Sequence, residues 1–270
     1  MIKLIMTDID GTLVPDGTKN LNPEYYDIIE KLIAKGIIFV VASGRHLMGV
    51  QSVFQPILDQ LWITSQNGNV ITHQGNSEII HTISSQTVQE FWNDIFQYEE
   101  VDSLIETADR AFCPHGDCNM YQILTKQYDF NMEVLGDCHS VPDLDFSMIC
   151  IHHPVNAEAF VKEHHLQERW KEKMNLTTSG QLWVDCTIPG VSKGNALNRI
   201  CEKLKIDPKD TIAFGDNMND ISMLETAGIG YAVDNARAEV QQAADQVIPG
   251  YAKDGVLEVL KRILADLEHE

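Results

Sequence analysis

Two short apolar segments near the N-terminus, separated by an amphipathic helix, constrain the fold of this chain more than any other feature. Residues 1–7 and 37–42 are mainly apolar and of strand length, which is typical of buried strands in a parallel sheet. Between them, one helical face carries apolar side chains at i, i+3, i+4, i+7 and i+8: Tyr25, Ile28, Ile29, Leu32 and Ile33. The pattern predicts a βαβ unit, which is right-handed by the usual rule.

Polar residues follow each of these two strands directly. Asp8 and Asp10 end the first strand, and Ser43, Gly44 and Arg45 end the second. In open α/β sheets, ligands bind just outside the carboxyl ends of such strands. Two neighbouring carboxylates repel each other, and a divalent cation with oxygen ligands relieves that repulsion. The two aspartates alone fit equally well an Asx-type turn that closes the strand.

The rest of the chain continues this organisation and then interrupts it. A helix is predicted around 46–58 and a third strand at 61–64, and a period of two with a turn at Gly75-Asn76 predicts a hairpin over 69–83. Residues 84–186 combine helical segments, one of them near 119–130, with antiparallel-looking strands. The βαβ pattern resumes at Lys193. We therefore predict an α/β fold: a Rossmann-like three-layer core with a parallel sheet, built from residues 1–83 and 187–270, with an inserted α+β cap at 84–186.

The charge of the chain limits its partners. Forty acidic residues against 20 basic ones give a net charge of -20, which argues against a nucleic-acid or anionic-membrane surface. No apolar run reaches the length of a membrane span, and the N-terminus lacks the segment order of a signal peptide. We expect a cytoplasmic protein without nucleic-acid or membrane partners. The sequence does not indicate an oligomeric state.

The cysteines do not change this interpretation. The chain has six, scattered along its length, and reduced, mostly buried thiols are the default in such a protein. Cys113 and Cys118, with Cys138-His139 further on, offer a zinc site as an alternative, but no second paired cluster follows.

Chemistry-bearing side chains gather where the predicted core strands end. Besides the first two strands, the strand at 211–214 is followed by Asp216, Asn219 and Asp220, and Lys193 opens the helix before it. Mg²⁺ prefers carboxylate, phosphate and water oxygens, and lysine binds phosphate as a point charge. Together these groups are an inventory for magnesium-assisted phosphoryl chemistry.

Four segments of the chain resemble, in order and spacing, the four motifs of the haloacid dehalogenase superfamily. They are Asp-Ile-Asp-Gly-Thr at 8–12, Val-Ala-Ser-Gly-Arg at 41–45, Val-Ser-Lys-Gly at 191–194 and Gly-Asp-Asn-Met-Asn-Asp at 215–220. The position of the insert, between the second and third motifs, is similar to that of the Cof-type phosphatases. Each motif alone is weak, but four in order, each at a predicted strand end or helix start, cover essentially the whole chain.

The resemblance implies roles for the residues that match the motifs. Asp8 would be the nucleophile that forms an aspartyl-phosphate, and Asp10 the general acid and base. Ser43, Gly44 and the Ile9 amide would hold the transferring phosphoryl group.

Further roles follow from the later motifs. Lys193 would offset charge on the phosphoryl group and on the nucleophile, and Asn219 would contact phosphate. Mg²⁺ would bind Asp8, the main-chain carbonyl of Asp10, and Asp216, with Asp220 supporting the metal water or Lys193. Arg45 would either hold an anionic ligand or tie its loop to the core.

By the same resemblance, we expect the chain to be a Mg²⁺-dependent phosphatase of small phosphorylated metabolites, sugar phosphates above all. Cap residues within 113–121 and 180–183 are candidates for specificity, although no motif supports them. Two alternatives stay open: a phosphotransferase or phosphomutase acting on sugar phosphates, and a non-catalytic metabolite-binding protein with the same motifs.

Overall fold

The strands of the chain form two separate sheets, one of eight strands and one of six. These are seen in a computed structural model, which describes residues 1–127, 130–179 and 181–269. Among the described helices, none is both long enough and apolar enough to cross a membrane. All six cysteines are free thiols.

The first part of the chain builds one half of the larger sheet. Its elements are β1 (Leu4–Thr7), α1 (Glu24–Ala34), β2 (Ile38–Ala42), α2 (Leu47–Phe54), β3 (Trp62–Ser65), β4 (Val70–His73) and β5 (Asn76–Ile79). The middle part forms the smaller sheet and its helices: α3 (Ser85–Ile95), β6 (Asp102–Glu106), β7 (Ala111–Cys113), α4 (Asn119–Gln127), β8 (Met132–Val134), β9 (Met148–His152), α5 (Ala157–Glu163), α6 (Leu166–Trp170), β10 (Asn175–Thr178) and β11 (Trp183–Thr187).

The last part returns to the larger sheet. It contributes α7 (Lys193–Leu204), β12 (Thr211–Gly215), α8 (Ile221–Thr226), β13 (Ile229–Val233), α9 (Ala238–Ala243), β14 (Gln246–Ile248) and α10 (Gly255–His269). Short 3₁₀ segments lie at Gln55–Gln60, Gln66–Gly68, Pro208–Asp210, Met218–Asp220 and Tyr251–Lys253.

The larger sheet has the order β14-β13-β12-β1-β2-β3-β4-β5. The strands from β14 to β3 are parallel, and β4 and β5 add an antiparallel edge. Helix α1 packs against α10, and α7 packs against α8. The predicted α/β core with a parallel sheet is therefore confirmed. Because β1 lies between β2 and β12, the loops that follow these three strands meet at one edge of the sheet.

Helix α1 shows how the apolar stripe determines packing. Tyr25, Ile29 and Leu32 have no exposed surface, and burying a side chain of this size contributes about 1.5–3 kcal/mol. The hydroxyl of Tyr25 accepts a hydrogen bond from the backbone N–H of Leu257 in α10, at 3.2 Å. The stripe thus fixes the position of the C-terminal helix as well as that of α1.

Two local features differ from the sequence prediction. The α-helical hydrogen bonding of α2 stops at Phe54, and the chain continues as a 3₁₀ segment that contains Pro56, which has no N–H to donate. The hairpin turn lies at Gln74 and Gly75, both with positive φ, so that Asn76 already belongs to β5. Two consecutive positive φ values are what a two-residue hairpin turn requires.

The smaller sheet has the order β10-β11-β9-β6-β7-β8 and is antiparallel except for the pair of β7 with β8. One of its faces packs apolar residues of α3, including Phe91 and Trp92, into a cluster distinct from that of the larger sheet. A second cluster, with Leu104, Met148 and Cys150, lies on the strands near the larger sheet's polar edge. The α+β cap is thus present; its predicted limits at 84 and 186 stay a prediction, and β11 ends at Thr187.

Candidate active site

A cavity of about 330 Å³ lies between the polar edge of the larger sheet and the cap. The larger sheet contributes Asp8, Asp10 and Gly44 to its wall, and the cap contributes Glu106 and Trp183, among others. The predicted strand-end residues therefore face a shared space with the inserted domain. We call this space the interdomain cavity.

A buried lysine joins two acidic residues at the bottom of this region. Lys193 Nζ lies 2.6 Å from Asp8 Oδ1 and 2.6 Å from Asp220 Oδ1, and the lysine has no exposed surface. Ser192 caps the start of α7 by accepting from the N–H of Asn195, so the lysine is held at the first helical position. Burial alone would lower the pKa of Lys193, but the Asp220 and Asp8 carboxylates raise it above its ordinary value. Lys193 is a fixed positive charge beside Asp8.

Three carboxylates have the arrangement needed to hold a cation. One oxygen from each of Asp8, Asp216 and Asp220 lies within 4.8 Å of the others. Oδ2 of Asp8 is buried and has no hydrogen-bond partner among the described residues. Burial raises the pKa of Asp8 to about 7, although Lys193 lowers it, and burial together with repulsion from Asp8 raises the pKa of Asp216 to about 9. A divalent cation would supply the positive charge that these oxygens need.

Glycine is required beside this group. Gly11 has a φ of +79°, and a Cβ at its position would lie 2.2 Å from Asp216 Oδ2. The hydroxyl of Thr12 donates to the other oxygen, Oδ1, at 3.0 Å. The loop after β1 therefore leaves space for the carboxylate of Asp216, which follows β12, and orients it through a hydrogen bond.

Asp220 differs from the other two acids because both of its oxygens have partners. Oδ1 accepts from Lys193, and Oδ2 accepts from the backbone N–H groups of Asp216 and Asn217, each at 2.9 Å. Asp220 thus shapes the loop that carries Asp216 and orients the lysine.

Asp10 is directed away from this acidic group. Its oxygens accept from Nε and Nη2 of Arg45, and Oδ1 also accepts from the N–H of Gly17, at 3.0 Å. Arg45 Nη2 donates in addition to the carbonyl of Thr18, at 2.7 Å. Two roles were expected for Arg45, holding an anionic ligand or tying its loop to the core. These contacts match the second role, because they join the loop after β2 to the loop after β1.

The loop after β2 presents small polar groups to the same region. Ser43 is buried, and its Oγ accepts from the N–H of Arg45 at 3.1 Å. Gly44 lies on the cavity wall, where a Cβ would be 3.0 Å from Asp185 of the cap. Ile9 is fully buried, and its carbonyl accepts from the turn residues 12–14.

Asn219 contacts another core loop rather than the cation-binding group. Its Nδ2 donates to Asn67 Oδ1 at 2.8 Å, and Asn67 Nδ2 donates to Asp185 Oδ2 at 2.5 Å. Asn67 has a φ of 57°, which asparagine tolerates better than most residues. These two asparagines form a hydrogen-bonded chain from the last core motif to the cap.

Two buried acids of the cap were given no role by the sequence prediction. Glu106 ends β6 and Asp185 lies within β11, and both are almost fully buried on the cavity wall. Burial raises the pKa of Glu106 to about 8 and that of Asp185 to about 6. The only signal in the sequence is an acidic residue that directly follows apolar residues in a predicted strand. It carries no information about which space the strand faces.

The cap segments named as candidates for specificity have different outcomes. Gln181, Leu182 and Trp183 lie on the cavity wall, and Gly180 lies outside the described residues. No residue of 113–121 belongs to the described wall of this cavity. The helix predicted near 119–130 is seen as α4, while residues 128 and 129 lie outside the described part of the chain.

Comparison with known proteins finds matches along almost the whole chain. A family model described as haloacid dehalogenase-like hydrolase matches residues 5–260. The 5-amino-6-(5-phospho-D-ribitylamino)uracil phosphatase of Escherichia coli (strain K12) is 26% identical over 264 residues, which cover 97% of this chain and 96% of that protein. The phosphoglycolate phosphatase of Methanoculleus marisnigri is 28% identical over 266 residues, with 97% of each chain covered.

A solved structure is similar over the same extent. The crystal structure of a protein from Eubacterium rectale has a TM-score of 0.85 and 36% sequence identity, and the match covers 97% of this chain and 99% of that one. The likeness therefore includes both sheets.

Proposed function

This chain belongs to the haloacid dehalogenase-like hydrolases and is a phosphomonoesterase; we propose that it is a Mg²⁺-dependent phosphatase of small phosphorylated metabolites, sugar phosphates above all, that works through an aspartyl-phosphate. The observation that carries this proposal is the state of Asp8 on the cavity wall. One of its oxygens accepts from Lys193 at 2.6 Å, and the other is buried without a partner among the described residues.

This arrangement suits a nucleophile. With Oδ1 held by the lysine, Oδ2 of Asp8 is the atom that attacks phosphorus. The new bond joins Oδ2 to phosphorus, and the bond between phosphorus and the ester oxygen breaks. A carboxylate is a recognised nucleophile for forming a covalent phosphoryl intermediate.

Asp10 is the proposed acid and base. As an acid, it gives a proton to the departing alkoxide; as a base, it takes one from the water that then hydrolyses the acyl phosphate. Its bidentate contact with Arg45 fixes the carboxyl group in one orientation. We therefore assign Arg45 as a positioning residue for Asp10.

The remaining motif residues would hold the transferred group. Ser43, with the backbone amides of Gly44 and Ile9, would donate to phosphoryl oxygens, and Lys193 would offset their negative charge. For Asn219 we propose a phosphate contact made through the same amide that now donates to Asn67.

The proposed metal ligands are Asp8, the main-chain carbonyl of Asp10, and Asp216. Asp220 completes the acidic group, but we assign it a supporting role because its oxygens already accept from Lys193 and two backbone amides. When bound, Mg²⁺ supplies charge stabilisation for the phosphoryl oxygens.

The proposal includes the division of the chain and its location. We assign residues 1–83 and 187–270 to the core and 84–186 to the cap, a division supported by the separate apolar clusters of the two sheets. A cytoplasmic location fits phosphorylated metabolites as substrates.

The test compares Asp8→Asn with the wild type on an aryl phosphate in the presence of Mg²⁺. We expect turnover to fall at least about a thousandfold, since a neutral amide is a poor nucleophile for phosphorus. The matched control is Asp59→Asn, an exposed residue, which should keep wild-type activity. EDTA should abolish turnover and Mg²⁺ should restore it. Near-wild-type turnover in Asp8→Asn would falsify the assignment, and transfer of phosphate to a sugar hydroxyl instead of water would indicate the mutase alternative.

A further inference from the structure

Resting on the proposed function, we propose that Glu106 is the residue which recognises the leaving group. It would accept a hydrogen bond from a hydroxyl or amino group, so that the enzyme prefers polyol-like or sugar-like phosphomonoesters and rejects those with a second anionic group. Glu106 belongs to none of the four motifs.

The first support is the position of Glu106. It lies on the wall of the interdomain cavity, which also holds Asp8. It comes from the cap, whereas Asp8 comes from the core. A phosphomonoester whose phosphorus is at Asp8 must direct its leaving group into this same space, because the cavity is lined by both domains.

The second support is the hydrogen bonding of its carboxyl group. The side chain is only 2% exposed. Oε2 accepts from Gln66 Nε2 at 2.7 Å, and no described residue bonds to Oε1. Because Glu106 lines the cavity, Oε1 can accept from a hydroxyl or amino group of a ligand.

The core holds Glu106 in this orientation. Gln66 Nε2 donates not only to Glu106 but also to the carbonyl of Thr107, at 2.9 Å, so its amide group cannot rotate without losing two acceptors. Gln66 is fully buried and has a φ of 53°, a conformation that is costly for a residue of this kind. Such restraint is typical of residues that pre-organise a binding group.

The charges around the cavity explain the rejection of a second anion. Asp185 lies on the same wall and is a second buried carboxyl near Glu106. In the described part of the wall, the basic side chains are Arg45, which binds Asp10, and His46, whose pKa is lowered to about 4 by burial. Near neutral pH the imidazole is therefore uncharged, and the cap side of the cavity offers an additional anion no positive partner.

Apart from Ser179 and Gln181, apolar side chains form the rest of the described cap wall. Leu104, Met148 and Trp183 lie beside Glu106 on the strands of the smaller sheet, and Phe130 lies nearby. Sugars and polyols combine C–H surfaces with hydroxyl donors, which match this combination of a largely apolar wall and a few acceptors. A carboxylate or second phosphate would lose its hydration against the same wall.

The experiment uses two open-chain substrates of equal length, sorbitol 6-phosphate and 6-phosphogluconate, which differ in whether the far end is a hydroxyl or a carboxylate. The wild type should have a kcat/KM at least about tenfold higher for sorbitol 6-phosphate, the size expected when a buried polar contact is lost or repulsive. An equal or reversed preference overturns the proposal. p-Nitrophenyl phosphate is measured alongside, because absence of any turnover on all three would instead refute the proposed function.

Two variants assign the preference to Glu106. All assays are run at about pH 9, above the pKa of about 8 to which burial raises Glu106, so that the wild-type carboxyl group is charged. Glu106→Gln then removes this charge at equal size and should bring the ratio to within about threefold of unity. Glu106→Asp keeps the charge but withdraws the acceptor, and should lower kcat/KM for sorbitol 6-phosphate more than for p-nitrophenyl phosphate, which has no hydroxyl donor. The control is Glu100→Gln, an exposed cap residue. Circular dichroism establishes whether each variant folds. If a folded variant retains the wild-type ratios, the assignment is wrong. If neither variant folds, the preference of the wild type between the two substrates still tests the proposal.

Discussion

Arg45 donates from Nε and Nη2 to the two carboxylate oxygens of Asp10, at 2.6 and 2.5 Å. The two residues follow neighbouring parallel strands, β2 and β1, so their contact depends on the register of the sheet. It separates Asp10 from the group formed by Asp8, Asp216 and Asp220. Two acids one residue apart therefore have different surroundings, as the proposed division between acid–base and nucleophile requires.

Replacement of Arg45 by lysine should impair proton transfer more than binding. A single ammonium group cannot reproduce the planar, bidentate contact, so kcat for an alkyl phosphate should fall about 10- to 100-fold. For p-nitrophenyl phosphate, whose leaving group needs no proton, the fall should be clearly smaller. Steady-state kinetics on both substrates measure this difference. Equal losses would show a merely structural role, and Arg262→Lys at an exposed position controls for the change of side chain.

The hydrogen bond between Asn67 and Asp185 should stabilise the contact of core and cap. Asn67→Ala removes the amide donor to Oδ2 of the buried Asp185 carboxyl group and should lower the free energy of unfolding by about 1–3 kcal/mol. In a double-mutant cycle with Asp185→Ala, the two effects should be non-additive by at least about 0.5 kcal/mol. Chemical denaturation of the four proteins provides the values, and strict additivity would show that the bond contributes nothing.

Glu106 should make stability depend on pH in a defined direction. Burial raises its pKa in the folded protein from 4.5 to about 8, so the folded state favours the protonated form. The stability that Glu106 contributes in its protonated form is fully present below its unfolded pKa, and it is lost as pH rises through its folded pKa of about 8. The glutamine in Glu106→Gln does not titrate. The free energy of unfolding of this variant, relative to that of the wild type, should therefore rise by a few kcal/mol (on the order of 1.4 per pKa unit) between about pH 4 and about pH 9. Denaturation at both pH values tests this, and a constant difference would contradict it.

Mg²⁺ should stabilise the protein through Asp216. A ligand that binds only the folded state at a hundred times its Kd adds about 2.7 kcal/mol, and thermal unfolding with and without EDTA detects this. Asp216→Asn should lose most of the Mg²⁺-dependent shift, whereas Asp59→Asn should keep it. An undiminished shift in Asp216→Asn would place the ion elsewhere.

Much of the core could be predicted from the sequence because its signals are local. The apolar run before Asp8, the stripe in α1 and the polar residues after each strand are read within short windows, and parallel pairing then brings distant strand ends to one edge. The paired contacts of Lys193 with Asp8 and Asp220 span 185 and 27 positions. No local pattern predicts such contacts; only the order of the motifs indicated them.

The cap could be recognised as a separate module, but the residues that face the cavity could not be selected. Glu106 and Asp185 occupy strands whose neighbours are apolar on both faces, so alternation does not reveal which face meets the core. Their surroundings depend on how the smaller sheet docks against Gln66 and Asn67. That docking is a tertiary property, and no motif supported the candidate segment 113–121.

The central claim is that phosphate becomes attached to Asp8 during turnover. The most direct measurement is mass spectrometry of enzyme quenched in acid while it hydrolyses an aryl phosphate with Mg²⁺, because acyl phosphates survive brief acid treatment better than alkali. After digestion with pepsin in acid, we predict one added phosphoryl group on the peptide that contains Asp8, absent in Asp8→Asn. A phosphoryl group on any other peptide, or its persistence on this peptide in Asp8→Asn, would contradict the account.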